Sequence, residues 1–218
     1  MIPLLHDFEG ETVLVVGGGP VGARKARRFA QEAEVVVLSP EFADDDFGDA
    51  DRVQTEPAPA EASDWVERTD PALVVAATDD AAVNDAFAAA AREAGALVNR
   101  ADESGGRDAD SVVVPATVRD DPVTVAVATG GASPALSKHL REELESEFEG
   151  AGEMATLTAA LRADLKAAGV APKRRREAVR VVVRSDAVWK ALRTGSSNPR
   201  ETAEGVVSSA VGEVTWST

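Results

Sequence analysis

The sequence predicts an α/β fold, a parallel sheet wound by helices on both faces, on three observations. Val13–Val16 runs as an apolar strand straight into Gly17-Gly18-Gly19-Pro20-Val21-Gly22. Strand-like runs then alternate with helical patterns as far as residue 100. After residue 110 two β-type runs follow one another with no helix between them. Alternation builds right-handed crossovers and hence a parallel sheet, whereas adjacent strands read as a hairpin.

Each element has its own signal. Thr12–Val16 is the first strand. A helix is expected from Pro20 or Val21 to Ala33, with Ala26, Phe29, Ala30 and Ala33 facing inward. Proline suits the first helical turn, where its missing N–H is not needed. Glu34–Leu38 is the second strand, ended by Ser39-Pro40, and Arg52–Thr55 a short third. Leu73–Ala77 is apolar throughout, as a strand covered on both faces should be. Val83, Ala86, Phe87, Ala90, Ala91 and Ala94 recur at helical spacing, and Gly95 stops that helix. Ala96–Val98 is the next strand. Ser111–Val118 and Val123–Ala128 form the hairpin around residues 119–122. A helix after Pro134 sets Leu136, Leu140, Leu144 and Phe148 on one face, and another from residue 153 aligns Met154, Leu157, Leu161 and Leu165. Short helices are expected over 173–184, 185–193 and 199–211. The chain thus reads as a Rossmann-like domain over 1–110, a β-hairpin/helix region for dimerisation and substrate binding over 111–150, and a small helical C-terminal region over 151–218.

Composition narrows the function. The 218 residues carry 38 acidic and 23 basic side chains, a net charge of −15, and only five of the basic ones are lysine. An acidic surface of this kind argues against nucleic acid, which demands cationic patches. It fits a halophilic protein in a salty cytoplasm, where ions screen self-repulsion. The absence of cysteine excludes disulfides and thiolate metal sites. His6 and His139 stand far apart with no metal-ligand spacing, so no protein-bound metal is expected. No apolar run approaches the ~20 residues of a membrane span, and the first residues lack a signal-peptide pattern. A cytoplasmic address is expected.

The glycine turn carries the first chemistry. Gly17 allows the tight turn, Gly19 lets the backbone approach a pyrophosphate, and Gly22 lets the helix pack close to the sheet, while Gly18, Pro20 and Val21 complete the cradle. The helix N-terminus then offers N–H groups to phosphates. Dinucleotide folds place an acid after the second strand to hold the adenosine ribose; here Ser39-Pro40 stands there, with Glu41 next. No arginine meets a 2′-phosphate, which favours NAD over NADP. Thr78 and Asp79 follow the strand at 73–77, where a cofactor would lie, although Asp79 or Asp80 also suits a helix cap. Asn99, Arg100 and Asp102 follow the strand at 96–98 on the same rim, where a carboxylate is placed for acid–base work and where it equally suits a loop cap. Thr129-Gly130-Gly131-Ala132-Ser133-Pro134 is a second glycine turn. It reads as an anion-binding turn, as a connector before a helix capped by Ser133, or as both.

Taken together, these pieces resemble the precorrin-2 dehydrogenase family, which includes the N-terminal part of bifunctional siroheme synthase and the yeast-type dehydrogenase/ferrochelatase. The resemblance rests on Pro3-Leu4, Gly10, Val13–Gly19 with Arg24-Lys25, Ala76–Asp80, Val98-Asn99 with Asp102, Pro115-Ala116, and Ala128–Leu136. It is dense over 1–150 and looser in the tail, at Asp186–Trp189 and Leu192. It implies oxidation of precorrin-2 to sirohydrochlorin by NAD+, with Asp102 in the acid–base position. In bifunctional members Fe2+ insertion follows at the same carboxylate. It further implies a homodimer. Asn99, Arg100, Thr129, Gly130, Gly131 and Ser133 become the candidates for binding the polycarboxylate substrate. Two departures stand out: residues 103–110 replace a shorter, more apolar link, and Arg100-Ala101 replace apolar residues. The competing reading is a non-catalytic NAD-binding regulatory module. Such modules carry an acid after the second strand and lack the Thr-Gly-Gly-x-Ser-Pro turn, so both features favour the enzyme.

Overall fold

The structure, a computed structural model, describes residues 2–101 and 111–212. The chain divides into two compact units, Met1–Val114 and Pro115–Thr218.

The first unit is a five-stranded parallel sheet in the order β3-β2-β1-β4-β5. Its strands are β1 (Thr12–Val16), β2 (Glu34–Ser39), β3 (Asp51–Gln54), β4 (Leu73–Ala76) and β5 (Leu97–Arg100). The helices are α1 (Pro20–Phe29), α2 (Ala62–Thr69) and α3 (Ala81–Glu93). The alternating faces of the strands fill two cores. Val13, Val15, Val35, Val37, Leu73 and Val75 pack under α1 with Ala23 and Ala26. Leu14, Val16, Leu38, Val74 and Val98 pack under α2 and α3 with Val66 and Phe87. A sheet covered on both faces needs apolar residues at consecutive positions, which is why β1 and β4 read as unbroken apolar runs. The chain leaves β1 toward β2 and later returns to β1's other side as β4. The switch point of the sheet therefore lies between the carboxyl ends of β1 and β4.

Several expectations need correction. α1 ends at Phe29 rather than Ala33, because the chain turns at Ala30–Ala33 to enter β2. α2, preceded by a 3-10 turn at Pro59–Glu61, was not expected at all. Asn99 and Arg100 do not follow β5 but belong to it, paired with Val75 and Ala76. β-pairing of residues 111–115 is limited to one bridge from Ser111 to Val98.

The second unit opens with the expected hairpin, β6 (Ala116–Asp120) paired antiparallel with β7 (Val123–Val127). Helices α4 (Pro134–Glu147), α5 (Ala151–Ala167), α6 (Pro172–Val183), α7 (Asp186–Thr194) and α8 (Pro199–Val211) follow. Met154, Leu161, Leu165, Ala178, Val182, Val188, Ala203 and Val207 make its core. The first turn of α5 lies against the hairpin turn, where the Gly152 N–H donates to Asp120 Oδ2 at 3.0 Å. A side chain at Gly152 would overlap the Asp121 carbonyl, so only glycine admits that approach. Arg200 ties α8 to α5 through Asp164, at 2.5 Å, and also pairs with Glu204.

Candidate functional site

The glycine turn sits at the switch point. The Gly17 N–H donates to Leu38 O at 2.9 Å, and its φ of +118° is one that side chains rarely adopt. A Cβ there would lie 2.5 Å from the carbonyl oxygen of Ala77, at the end of β4. A Cβ on Gly18 would meet Glu41 O at 2.5 Å and the Ser39 side chain at 2.7 Å. One on Gly22 would overlap the Gly17 carbonyl. These three glycines are therefore required by the protein's own packing. Gly19 is different. Its φ is −74°, and a Cβ there would meet nothing within 4 Å. Gly19 is the N-cap of α1, no side chain caps that helix, and no acidic residue occupies its first turn. The helix N-terminus is thus open toward the space above Gly19, the geometry by which such turns hold phosphates. Arg24, Lys25, Arg27 and Arg28 make the short α1 strongly cationic within an acidic chain.

The loop after β2 is tied to this turn. Ser39, buried, donates its hydroxyl to Glu41 O at 2.6 Å, and the Ala43 N–H donates to Gly18 O at 2.8 Å. The backbone carbonyl of Glu41 is thereby brought back against Gly18, while the Glu41 and Pro40 residues stay exposed. At the end of β4 the Thr78 hydroxyl donates to Asn84 Oδ1 at 2.7 Å, and Asn84 Nδ2 donates to Thr78 O at 3.0 Å. Asp80, not Asp79, caps α3, accepting from Ala82 and Val83. Asp79 is exposed beside it. Asn84, fully buried, is a positioning residue that the sequence reading missed. Its signal was a polar residue one position after Val83 and four before Ala88, inside the buried stripe of α3.

Strand alternation separates Asn99 from Arg100. The Arg100 guanidinium pairs with Asp85 of α3 at 2.6 Å. Asn99 is 6% exposed; its Nδ2 donates to Val112 O at 2.8 Å, while its Oδ1 is buried with no hydrogen-bond partner among the described residues. Leaving such an acceptor unpaired costs about 1–3 kcal/mol. Asn99 lines a cavity of about 210 Å³ with Val21, Arg24, Lys25, Ala101 and Val112. Burial, together with the charges of Arg28 and Arg24, lowers the Lys25 amine from 10.5 to about 8. Asp102 lies outside the described residues; the preceding residue, Ala101, still donates its N–H to Ala76 O at 2.9 Å.

In the second unit, the turn at 129–133 is built by its own hydroxyls. Thr129 Oγ1 donates to Ser133 O at 3.1 Å and lies 2.9 Å from Ser137 Oγ, and Ser133 caps α4 by accepting from the Leu136 N–H at 3.2 Å. Gly130 and Gly131 have positive φ and are exposed. Among the described residues no three His, Cys, Asp or Glu side chains gather as a metal site, and no helix is long and apolar enough to cross a membrane.

Comparison with known proteins places this architecture. Residues 4–116 match the family described as "Putative NAD(P)-binding", and residues 120–147 match the sirohaem biosynthesis protein central family. Precorrin-2 dehydrogenase of Methanosarcina barkeri is 31% identical over 95% of this chain and 94% of its own length. The chain belongs to the precorrin-2 dehydrogenase family. Siroheme synthase of Chromobacterium violaceum is 38% identical over 76% of the chain, which spans only 35% of that longer protein. The solved structure of SirC, a precorrin-2 dehydrogenase, shares the fold with a TM-score of 0.66 at 23% identity, covering 94% of this chain and 98% of its own. The stretch matched by the NAD(P)-binding family, residues 4–116, includes the glycine turn.

Proposed function

We propose that the chain oxidises precorrin-2 to sirohydrochlorin, with NAD+ as hydride acceptor. The observation that carries this reading is the open, uncapped N-terminus of α1 at the switch point, in a chain that is 31% identical to a precorrin-2 dehydrogenase along nearly its whole length. A bound nicotinamide would supply the hydride acceptor for the macrocycle. The chain's own task is to hold the dinucleotide along Gly17–Gly22, Ser39, Pro40, Thr78 and Asp79, and to remove one proton from the substrate. Asp102, in the family's acid–base position, is the residue we assign to the proton. Asn99, Arg100 and the turn Thr129-Gly130-Gly131 with Ser133 are the candidates for the substrate side, the exposed glycines offering backbone N–H groups to carboxylates. NAD rather than NADP is supported by residues 39–43, which include the acid Glu41 and no basic side chain for a 2′-phosphate.

Anaerobic incubation with precorrin-2 and either NAD+ or NADP+, followed by absorbance, tests the reading. Sirohydrochlorin should form with NAD+ and far more slowly with NADP+; no product with either overturns the assignment. Adding Fe2+ as a second substrate then tests metal insertion to siroheme in the same cuvette.

We further propose a homodimer. α4 buries none of its residues, and Leu136, Leu140 and Phe148 are 46%, 38% and 36% exposed along one face. The adjoining hairpin has one buried residue, Val118, and two strands alone are marginal. A second copy covering this face accounts for both. Light scattering in concentrated salt, the medium that suits a net charge of −15 in a salty cytoplasm, should give twice the 22.7 kDa chain mass. A clean monomer there contradicts the dimer.

A further inference from the structure

Between α1 and the carboxyl end of β5 lies a half-open cavity of about 210 Å³. Three cations line it, Arg24 and Lys25 from α1 and Arg100 from β5, and among the described residues no acid does. The surrounding chain has a net charge of −15, so the composition of this wall runs against that of the protein. Arg100 is answered by Asp85 at 2.6 Å. Arg24 and Lys25 have no hydrogen-bond or ion-pair partner among the described residues. Arg24 is exposed and Lys25 half-buried. Burial and the like charges of Arg28 and Arg24 bring the Lys25 amine down to about 8, the mark of a cation whose protein neighbours supply no counter-charge.

We propose that Lys25 and Arg24 form an anion subsite for one carboxylate arm of the macrocycle. The inference rests on the reading of the chain as a precorrin-2 dehydrogenase and adds residues to its substrate side. Lysine and arginine only donate, so the pair suits a charged group that only accepts. A phosphate of the dinucleotide is the other anion with that chemistry. Lys25, however, stands six residues along α1 from Gly19, about 9 Å at the helical rise, which sets it apart from a pyrophosphate over the helix N-terminus. The open side of the cavity lets an arm enter while the ring stays outside. Ala101, which also lines the cavity, directly precedes the carboxylate assigned to the proton. An arm anchored between Lys25 and Arg24 therefore holds the ring on the side of the sheet rim where its proton is to be removed.

Two measurements on Lys25→Met and Arg24→Met test this: the KM for precorrin-2 in anaerobic steady-state oxidation, and the affinity for the nicotinamide dinucleotide by calorimetry. Methionine keeps much of the side-chain length and removes the charge. Lys25→Met should raise the KM for precorrin-2 at least about tenfold, the usual effect of losing a partly buried, charge-assisted hydrogen bond. Arg24→Met should raise it less, about two- to fivefold, because solvent screens an exposed charge. Dinucleotide affinity should stay unchanged in both variants, which also shows that they are folded. An unchanged KM in Lys25→Met overturns the proposal, whatever happens to kcat. Weakened dinucleotide binding overturns it too, whether or not the KM rises; with an unchanged KM it assigns the cations to a dinucleotide phosphate instead. Failure of the wild type to oxidise precorrin-2 with either NAD+ or NADP+ overturns the substrate reading itself, and this proposal with it.

Discussion

Asp102→Asn should lower dehydrogenase turnover by about 10²–10⁴-fold, the usual effect of losing a general base. Asparagine keeps the size of the side chain and some of its hydrogen bonding but accepts no proton. NAD affinity should barely change, because the cradle proposed for the pyrophosphate, Gly17–Gly22, lies at a different strand end. If the wild type also inserts Fe2+, insertion should fall in the same variant, since one base then serves both reactions. Single-turnover absorbance separates these outcomes. Near-normal oxidation by Asp102→Asn refutes the assignment and directs attention to Asp79, Asp80 or His139. Loss of insertion alone means that the two reactions use separate groups.

Gly19→Asp should have effects of opposite sign on binding and on folding. A Cβ at Gly19 meets nothing within 4 Å, and the residue has an ordinary φ. Aspartate is also a preferred N-cap, and α1 has no side-chain cap to lose. The helix should therefore gain a few tenths of a kcal/mol. Cofactor affinity should fall by more than tenfold, about 1.4 kcal/mol, because a carboxylate then occupies the place of the pyrophosphate. Gly22→Ala provides the contrast. Its methyl group overlaps the Gly17 carbonyl, so it should lower the melting temperature as well as the affinity. A folded Gly19→Asp protein that still binds NAD overturns the site.

Where the sequence spoke through apolar patterning, it placed the elements well. β1, β2 and β4 are read to within a residue because a strand buried on both faces is apolar at every position. The cap of α4 was legible because Ser133-Pro134 satisfies the helix start locally. β5 was cut short at Val98 because its last two residues are polar, yet the backbone pairing to Val75 and Ala76 continues beneath them. α2 was missed for the opposite reason: Ala62, Trp65 and Val66 do fall at helical spacing, but among acidic residues and after two prolines they make a weak signal. The glycine turn and the rim of the sheet were legible as a candidate site. The clasp between Thr78 and Asn84, the return of Glu41 to Gly18 and the unpaired oxygen of Asn99 were not. Each joins residues whose relation is set by the fold rather than by spacing in the chain.

The cationic α1 has a consequence for how ligands arrive. Its four basic residues act over a short range, while the remainder of a chain of net charge −15 repels polyanions from farther away. At physiological ionic strength the two ranges are separated by a screening length of about 8 Å. A polycarboxylate approaching by diffusion therefore meets repulsion first and attraction only at the last turn of its path. Added salt erodes the outer barrier more than the inner well. Association should speed up as ionic strength rises, the reverse of ordinary electrostatic steering, so that concentrated salt becomes the condition under which encounter is fastest.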